Sequence, residues 1–319
     1  MTGTSPSALR PDISVVIPCY NEADNAEAIC AAVIAQLEPL GLSFNIVCID
    51  NDSTDDTVAI LKRVCAADPR VRLIVNTRNF GQMRSPTHAI YQTDGRCVIG
   101  ICADFQDPPE LLPEFVRRWQ AGADIVLAVR QTEENVGFFL KRIRRLSYWL
   151  TRNFGDYPII PNATGFGLYS ARVVDATRAL AEPEPFFRGM LVETGYRVET
   201  IAYQRPERAR GQSKNNFVGL LDFAMSALAG SSKRLLRAPL YIGVFGAIMT
   251  VLMLLGGVAA FFMGRPIAGW FIAAVVQGEF AVLFGFLGLL GDNVRIISER
   301  TRKTPLVIER ERVNFPADD

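Results

Sequence analysis

The chain has 319 residues, with 34 Lys and Arg against 33 Asp and Glu, and its net charge of +1 rules out a uniformly basic nucleic-acid binder. Hydrophobic residues make up 49% and mean hydropathy is +0.17, too apolar for a purely soluble protein, and the excess lies after Pro239. Cys19, Cys30, Cys48, Cys65, Cys97 and Cys102 fall in the first third without a C-x-x-C pair, so they read as reduced packing residues, with no disulfide framework or zinc site.

Residues 1–12 are polar and rich in Pro and Ser, which predicts a disordered lead-in and no cleaved signal peptide. Ile13 to Pro18 (I-S-V-V-I-P) is a continuous β-branched run suited to a buried parallel strand, and Asn21-Glu22-Ala23-Asp24 opens a helix to about Leu37. Phe44 to Asp50 is the second strand. It ends in Asp50-Asn51-Asp52-Ser53, where Ser53 and Asp56 form an expected capping box for a helix from Thr54 to Ala66. Val71 to Asn76 is the third strand, followed by Arg78-Asn79-Phe80-Gly81 and a helix from about Gln82 to Gln92. Next comes Val98 to Pro109, V-I-G-I-C-A-D-F-Q-D-P-P, an apolar strand to Cys102 that runs into two carboxylates and a Pro-Pro helix start for Glu110 to Trp119. Asp124 to Arg130 is the fifth strand.

This alternation argues for a doubly wound α/β sheet with right-handed crossovers. Tyr20 to Glu22, Asp50 to Asp52, Arg78, Asp104 to Asp107 and Arg130 each follow a strand's last apolar residue. Together they line one edge of the sheet, where ligands bind, so a nucleotide-type site is expected there. Asp104, Gln106 and Asp107 offer three oxygen-bearing side chains within four residues, which suits Mg2+ or Mn2+. The plainer alternative is that Asp107 caps the following helix and Asp104 is a solvated turn residue.

A polar segment, 131–136, leads to a basic, helical-looking stretch from Phe138 to Phe154, broken at Pro158 to Asn162. Ala163 to Ser170 reads as a glycine-containing strand, Ala171 to Ala181 and Phe187 to Tyr196 as helices, and Val198 to Tyr203 as a further strand. The basic loop Arg205 to Lys214 closes a domain over 13–214. Residues 215–238 hold an amphipathic helix, Phe217 to Leu236, suited to a bilayer surface. Leu240 to Met263, 24 residues without a charge, and Ala268 to Gly291, interrupted only by Gln277 and Glu279, are each long enough to cross a bilayer. They predict a transmembrane hairpin over 239–292. Cations flank it on the outer ends, against Arg265 alone in its connector, which places the large domain and both termini in the cytoplasm. The tail, 293–319, is charged, with a strand-like piece at Leu306 to Ile308.

Two basic clusters underlie the balanced charge: five cations between Lys141 and Arg152, and seven between Tyr203 and Arg237. Both lead toward the membrane segment, so phosphorylated ligands or anionic lipid are more economical partners than nucleic acid. No P-loop, dinucleotide fingerprint or nucleophile elbow is present. The one histidine, His88, reads as an ordinary helix residue.

The motifs I-S-V-V-I-P-C-Y-N-E, I-D-N-D-S-T-D, R-N-F-G, A-D-F-Q-D-P-P-E, G-F-G-L-Y and R-A-R-G-Q-S-K, followed by two spans, resemble the polyprenyl-phosphate glycosyltransferases of glycosyltransferase family 2. The resemblance covers about Ile13 to Phe315. It implies a GT-A fold and an inverting transfer from a nucleotide sugar to polyprenyl phosphate at a bacterial inner membrane. UDP-glucose is the first donor expected and GDP-mannose the second. Pro18, Tyr20, Glu22, Asp50, Asn51 and Arg78 would hold the donor, and Arg208, Ser213 and Lys214 would close over it. Asp104 and Gln106 would hold the metal, Arg130 and Arg142 would grip the lipid phosphate, and Asp104, Asp107 and Arg130 are the candidate catalytic residues. A homo-oligomer, tetrameric as in some relatives, is allowed. Two positions depart from the family pattern, Cys102 and Asn51, where Asp is frequent. They leave open a catalytically inactive nucleotide-sugar-binding scaffold or flippase accessory subunit. A processive polysaccharide synthase would need a Q-x-x-R-W motif that is absent.

Overall fold

The computed structural model describes residues 10–131, 160, 162–183, 185–204 and 305–316, with scattered helical positions between 272 and 301. In chain order the elements are β1 (Ile13–Cys19), α1 (Ala26–Leu37), β2 (Phe44–Asp50), α2 (Thr57–Ala67), β3 (Val71–Asn76), α3 (Gly81–Tyr91) and β4 (Cys97–Gly100). There follow α4 (Leu112–Gln120), β5 (Ile125–Arg130), β6 (Ala163–Ser170), α5 (Ala171–Ala179), α6 (Phe187–Glu193), β7 (Val198–Tyr203) and β8 (Glu309–Val313).

The strands form one sheet in the order β7-β5-β6-β4-β1-β2-β3-β8. β1 runs parallel to β2 and β4, β2 to β3, and β5 to β7, while β6 and β8 run antiparallel to their neighbours. Six strands therefore point their carboxyl ends to the same edge.

Both faces of the central strands are covered, which is why they read as unbroken apolar runs. Ile13, Val15 and Ile17 alternate into a core shared with Ile29, Val33, Leu61 and Phe115, on the face of α1, α2 and α4. Val16, Val47, Ile49 and Ile74 face the other way, packing with Ala89, Val173 and Leu191 of α3, α5 and α6. Close backbone approach fixes one small residue in this frame: a Cβ on Gly167 of β6 would stand 2.3 Å from the Val126 carbonyl oxygen of β5.

The described residues depart from the sequence expectations in particular places. α1 starts at Ala26, not Asn21, because Asn21 has a left-handed φ of 55° and the helix opens where Glu22 O accepts from the Asn25 and Ala26 amides. The capping box of Ser53 and Asp56 does not form: α2 starts at Thr57, its N-cap Asp56 makes no side-chain cap bond, and the Ser53 hydroxyl accepts from the Asn21 amide instead. Nor does Asp107 cap a helix. Pro108 holds that position before a single 3-10 turn, Pro109–Leu111, and α4 follows from Leu112. The sheet is mixed rather than wholly parallel.

The tail's strand is Glu309–Val313, beyond Leu306 to Ile308, and it adds an eighth strand against β3. Its charged residues suit an edge, which pairs on one side only. Of the six cysteines, all are free and five are buried, but Cys102 is exposed, because β4 ends at Gly100 and residue 102 sits on the following loop.

Among the described residues no helix is long and apolar enough to cross a membrane. Residues 240–271 of the expected hairpin lie outside the described residues. Farther on, Ile272, Val276, Leu283, Phe286 and Leu290 are helical positions with exposed side chains.

Candidate active site

The loops at the carboxyl edge are tied to one another before any ligand is considered. The Asn21 amide donates to Ser53 Oγ at 2.8 Å and the Glu22 amide to Thr57 Oγ1 at 2.9 Å, while Thr54 N donates back to Asn21 Oδ1 at 2.8 Å. These bonds lace the loop after β1 to the loop after β2. Asp55 completes the lacing by accepting from the amides of Thr57 and Ala23. Burial works against its charge, but the Thr57 hydroxyl and those amides hold its pKa below 3.8.

Asp50, the last residue of β2, is fully buried. Its Oδ2 accepts from the Ser53 amide at 3.0 Å, while Oδ1 has no partner among the described residues. Burial raises its pKa, opposed by the Ser53 hydrogen bonds and, more weakly, by Arg310. A buried acceptor without a donor is costly, and a ligand N–H would relieve it.

Asn51 differs in kind. Its Nδ2 donates to Asn79 Oδ1 at 2.9 Å and to Gly81 O at 3.3 Å, and its Oδ1 accepts from Asn76 Nδ2 at 3.1 Å and the Phe80 amide at 2.9 Å. Both donors and both lone pairs of the amide are thus spent inside the chain. An aspartate could not donate the first two bonds, which gives Asn51 a physical reason to be an amide: it pins the loop from Asn76 to Gly81. Arg78 on that loop donates to Asn79 O at 3.1 Å and lies 4.0 Å from the centre of the Phe80 ring.

Beyond β4, Asp104 is 7% exposed and accepts from the Gln106 amide at 3.2 Å. Phe105 between them has a left-handed φ of 57°, an uncommon conformation for a bulky residue. Holding it there turns Asp104 and Gln106 onto the same tight loop, with Phe105 partly buried against the core. Among the described residues no group of three His, Cys, Asp or Glu side chains could hold a metal. The carboxylate of Asp104 and the amide oxygen of Gln106 are nonetheless the donor types a hard cation takes, with ligand oxygens completing the set.

Asp107 is buried, with Oδ2 accepting from the Cys102 amide at 3.2 Å and Oδ1 from the Tyr203 hydroxyl at 3.1 Å. Arg130 Nε donates to the Tyr203 oxygen at 3.4 Å. Burial raises the Asp107 pKa despite these donors and Arg130. Asp107, Tyr203 and Arg130 thus chain the ends of β4, β7 and β5 together.

Of the remaining expected donor residues, Pro18 is partly buried near the end of β1, Tyr20 is 40% exposed beyond it, and Glu22 accepts from Asn25 Nδ2 at 2.8 Å. Arg142, Arg208, Ser213 and Lys214 lie outside the described residues. The sequence reading passed over Tyr203 and Arg310. Tyr203 was legible as the last residue of a strand at the same edge. Arg310 was not, because it reaches Asp52, at 3.8 Å, from a strand 258 positions along the chain.

The glycosyl transferase family 2 domain is matched by residues 14–176. The bactoprenol glucosyl transferase of Shigella phage SfX is 31% identical, covering 94% of this chain and 99% of that protein. An uncharacterized glycosyltransferase of Synechocystis sp. is 29% identical, covering 93% and 94%. Among solved structures, glucosyl-3-phosphoglycerate synthase from Mycobacterium tuberculosis, in complex with Mn2+, UDP and phosphoglyceric acid, matches at 17% identity and a TM-score of 0.49, over 69% of this chain and 76% of that one. The chain is a glycosyltransferase and belongs to glycosyl transferase family 2.

Proposed function

We propose that the chain transfers a sugar from a nucleotide sugar to a polyprenyl phosphate, with inversion, at the cytoplasmic face of a bacterial inner membrane. The observation that carries this reading is the placing of Asp50, with its open buried acceptor, on the same edge as the Asp104–Gln106 turn two strands away. At about 4.8 Å per strand the two lie about 10 Å apart across the sheet, room for a nucleoside at one and its diphosphate at the other. Support for the lipid acceptor comes from the relatives named for bactoprenol and from the exposed apolar side chains between Ile272 and Leu290.

Asp104 and Gln106 would hold Mg2+ or Mn2+, which when bound offsets the charge of the departing nucleoside diphosphate. Arg130, at the end of β5, would meet the acceptor phosphate, whose second pKa of about 6 leaves it mostly dianionic at neutral pH. One phosphate oxygen forms the new bond to the anomeric carbon as the bond to the diphosphate breaks on the opposite face. No proton has to leave the nucleophile. Asp107, both of whose oxygens already accept hydrogen bonds, fits this economy as a positioning residue that holds the metal turn and Tyr203.

The test uses the detergent-solubilised full chain with UDP-glucose and GDP-mannose, each with and without polyprenyl phosphate and Mg2+ or Mn2+. Nucleoside diphosphate release that needs both lipid and metal is expected, with UDP-glucose the first donor. Asp104→Ala is expected to lower that release by about a hundredfold or more while leaving the thermal melt unchanged. Release without lipid, or full activity in the variant, contradicts the reading.

A further inference from the structure

The segment that follows residues 205–304 returns to the sheet as β8, and its docking is heavily built. Thr77 N donates to Ile308 O at 2.9 Å, Lys62 pairs with Glu311 at 2.7 Å, His88 meets Glu309 at 2.5 Å, and Asn314 Nδ2 donates to the Cys65 and Val71 carbonyls. Within this strand the register slips by one residue: Val75 faces Glu311 and Asn76 faces Glu309, so Arg310 is the extra residue of a β-bulge. The consequence shows in the side chains. Glu309 and Arg312, three apart, pair with each other on one face, which unbroken alternation would forbid.

The bulge leaves Arg310 beside the loop after β2. Its guanidinium is 3.8 Å from Asp52, is about half exposed, makes no hydrogen bond among the described residues, and acts on the buried Asp50 carboxylate. The strand order puts β4 two strands to one side of β2 and β8 two strands to the other. If the diphosphate end of a nucleotide lies at Asp104, the base at Asp50 has Arg310 on its far side.

We propose that Arg310 is a donor-binding residue, and that the C-terminal strand completes the nucleoside half of the site. This deepens the nucleotide-sugar reading and rests on it. The open Oδ1 of Asp50 calls for a base N–H, and the planar guanidinium, with its unspent donors, meets the carbonyl oxygen next to that N–H. The pair thus recognises a base edge that carries N–H beside C=O, as uracil and guanine do. Cytosine and adenine present an unprotonated ring nitrogen there, which leaves Asp50 without its donor.

The experiment is calorimetric titration of the full chain with UDP, UMP, GDP and CDP, for wild type, Arg310→Ala, Arg310→Lys and Lys62→Ala. Lys62→Ala removes another surface pair that holds the same strand, from Lys62 of α2 to Glu311, without touching the site. Arg310→Ala is expected to weaken UDP and UMP to the same degree, by about tenfold, with Arg310→Lys intermediate, Lys62→Ala as wild type, and CDP bound weakly by all. UDP affinity unchanged in Arg310→Ala overturns the assignment alone. Equal losses in Arg310→Ala and Lys62→Ala would mean that strand docking, not ligand contact, is at stake, and overturn it too. A wild-type chain that binds no nucleoside diphosphate sinks the underlying donor reading as well.

Discussion

A carboxylate with one satisfied oxygen and one bare one, wholly out of water, is an expensive thing to fold around. For Asp50 the folded pKa lies above the unfolded 3.8, so below that pH the group is neutral in both states and adds no penalty. Above the folded pKa it is charged in both, and the penalty is complete. Asp50→Asn is therefore expected to raise the melting temperature by a few degrees at pH 7 while weakening donor binding. Melts at pH 7 and pH 3.5 check this: the gain should nearly vanish at the lower value. Asp107 has the opposite need, since its donors from Cys102 and Tyr203 exist to make burial tolerable. Tyr203→Phe removes a hydrogen bond to a charged group worth about 1.5–3 kcal/mol. The loss should appear at neutral pH and shrink in acid, where Asp107 is protonated without help, and denaturant titrations at both values read it directly.

At the scale of elements, the strands most clearly written in the sequence are those buried on both faces. β2, β3 and β6 have the bounds that their apolar runs predict, because a strand covered on both faces can tolerate little else. Helix starts were harder to read, since the polar residues that usually cap helices here serve the site: Ser53 and Asp107 are spent tying loops together. The tight turn that puts Asp104 and Gln106 at the sheet's edge was legible from its polar residues, whereas the amide of Asn51, expected by resemblance to meet the donor, has its donors and acceptors taken up by Asn76, Asn79, Phe80 and Gly81. β8 was hidden because it is charged and bulged, which erases the period of two. Its anchor is Glu309, whose pKa falls to about 2, since the hydrogen bonds and charges of His88 and Arg312 outweigh burial. That contribution is complete above the unfolded value of 4.5 and is lost as pH falls through about 2. Glu309→Gln should therefore expose the β3 and β8 amides to hydrogen exchange at pH 7, with little difference from wild type near pH 2.

Across the whole molecule, β7 and β8 are the two outer strands of the sheet. β7 runs toward the site edge and ends there at Tyr203; β8, antiparallel to β3, begins at that same edge with Glu309 opposite Asn76. Residues 205–304 thus depart from and rejoin the sheet along a single rim, at points about 34 Å apart at 4.8 Å per strand. Removing residues 305–319, Arg310 among them, is expected to leave the core from β1 to β7 folded, as its circular dichroism would report, yet to weaken UDP binding at least as much as Arg310→Ala does and to lower lipid-dependent turnover with it. The sheet hangs from its intervening segment by both ends of one rim, as a pail hangs from its handle. The loops that carry Asp50 and Asp104 lie between the two points, so the chain leaves and rejoins the sheet on either side of the candidate site, and both outer strands are tied to one intervening stretch of sequence.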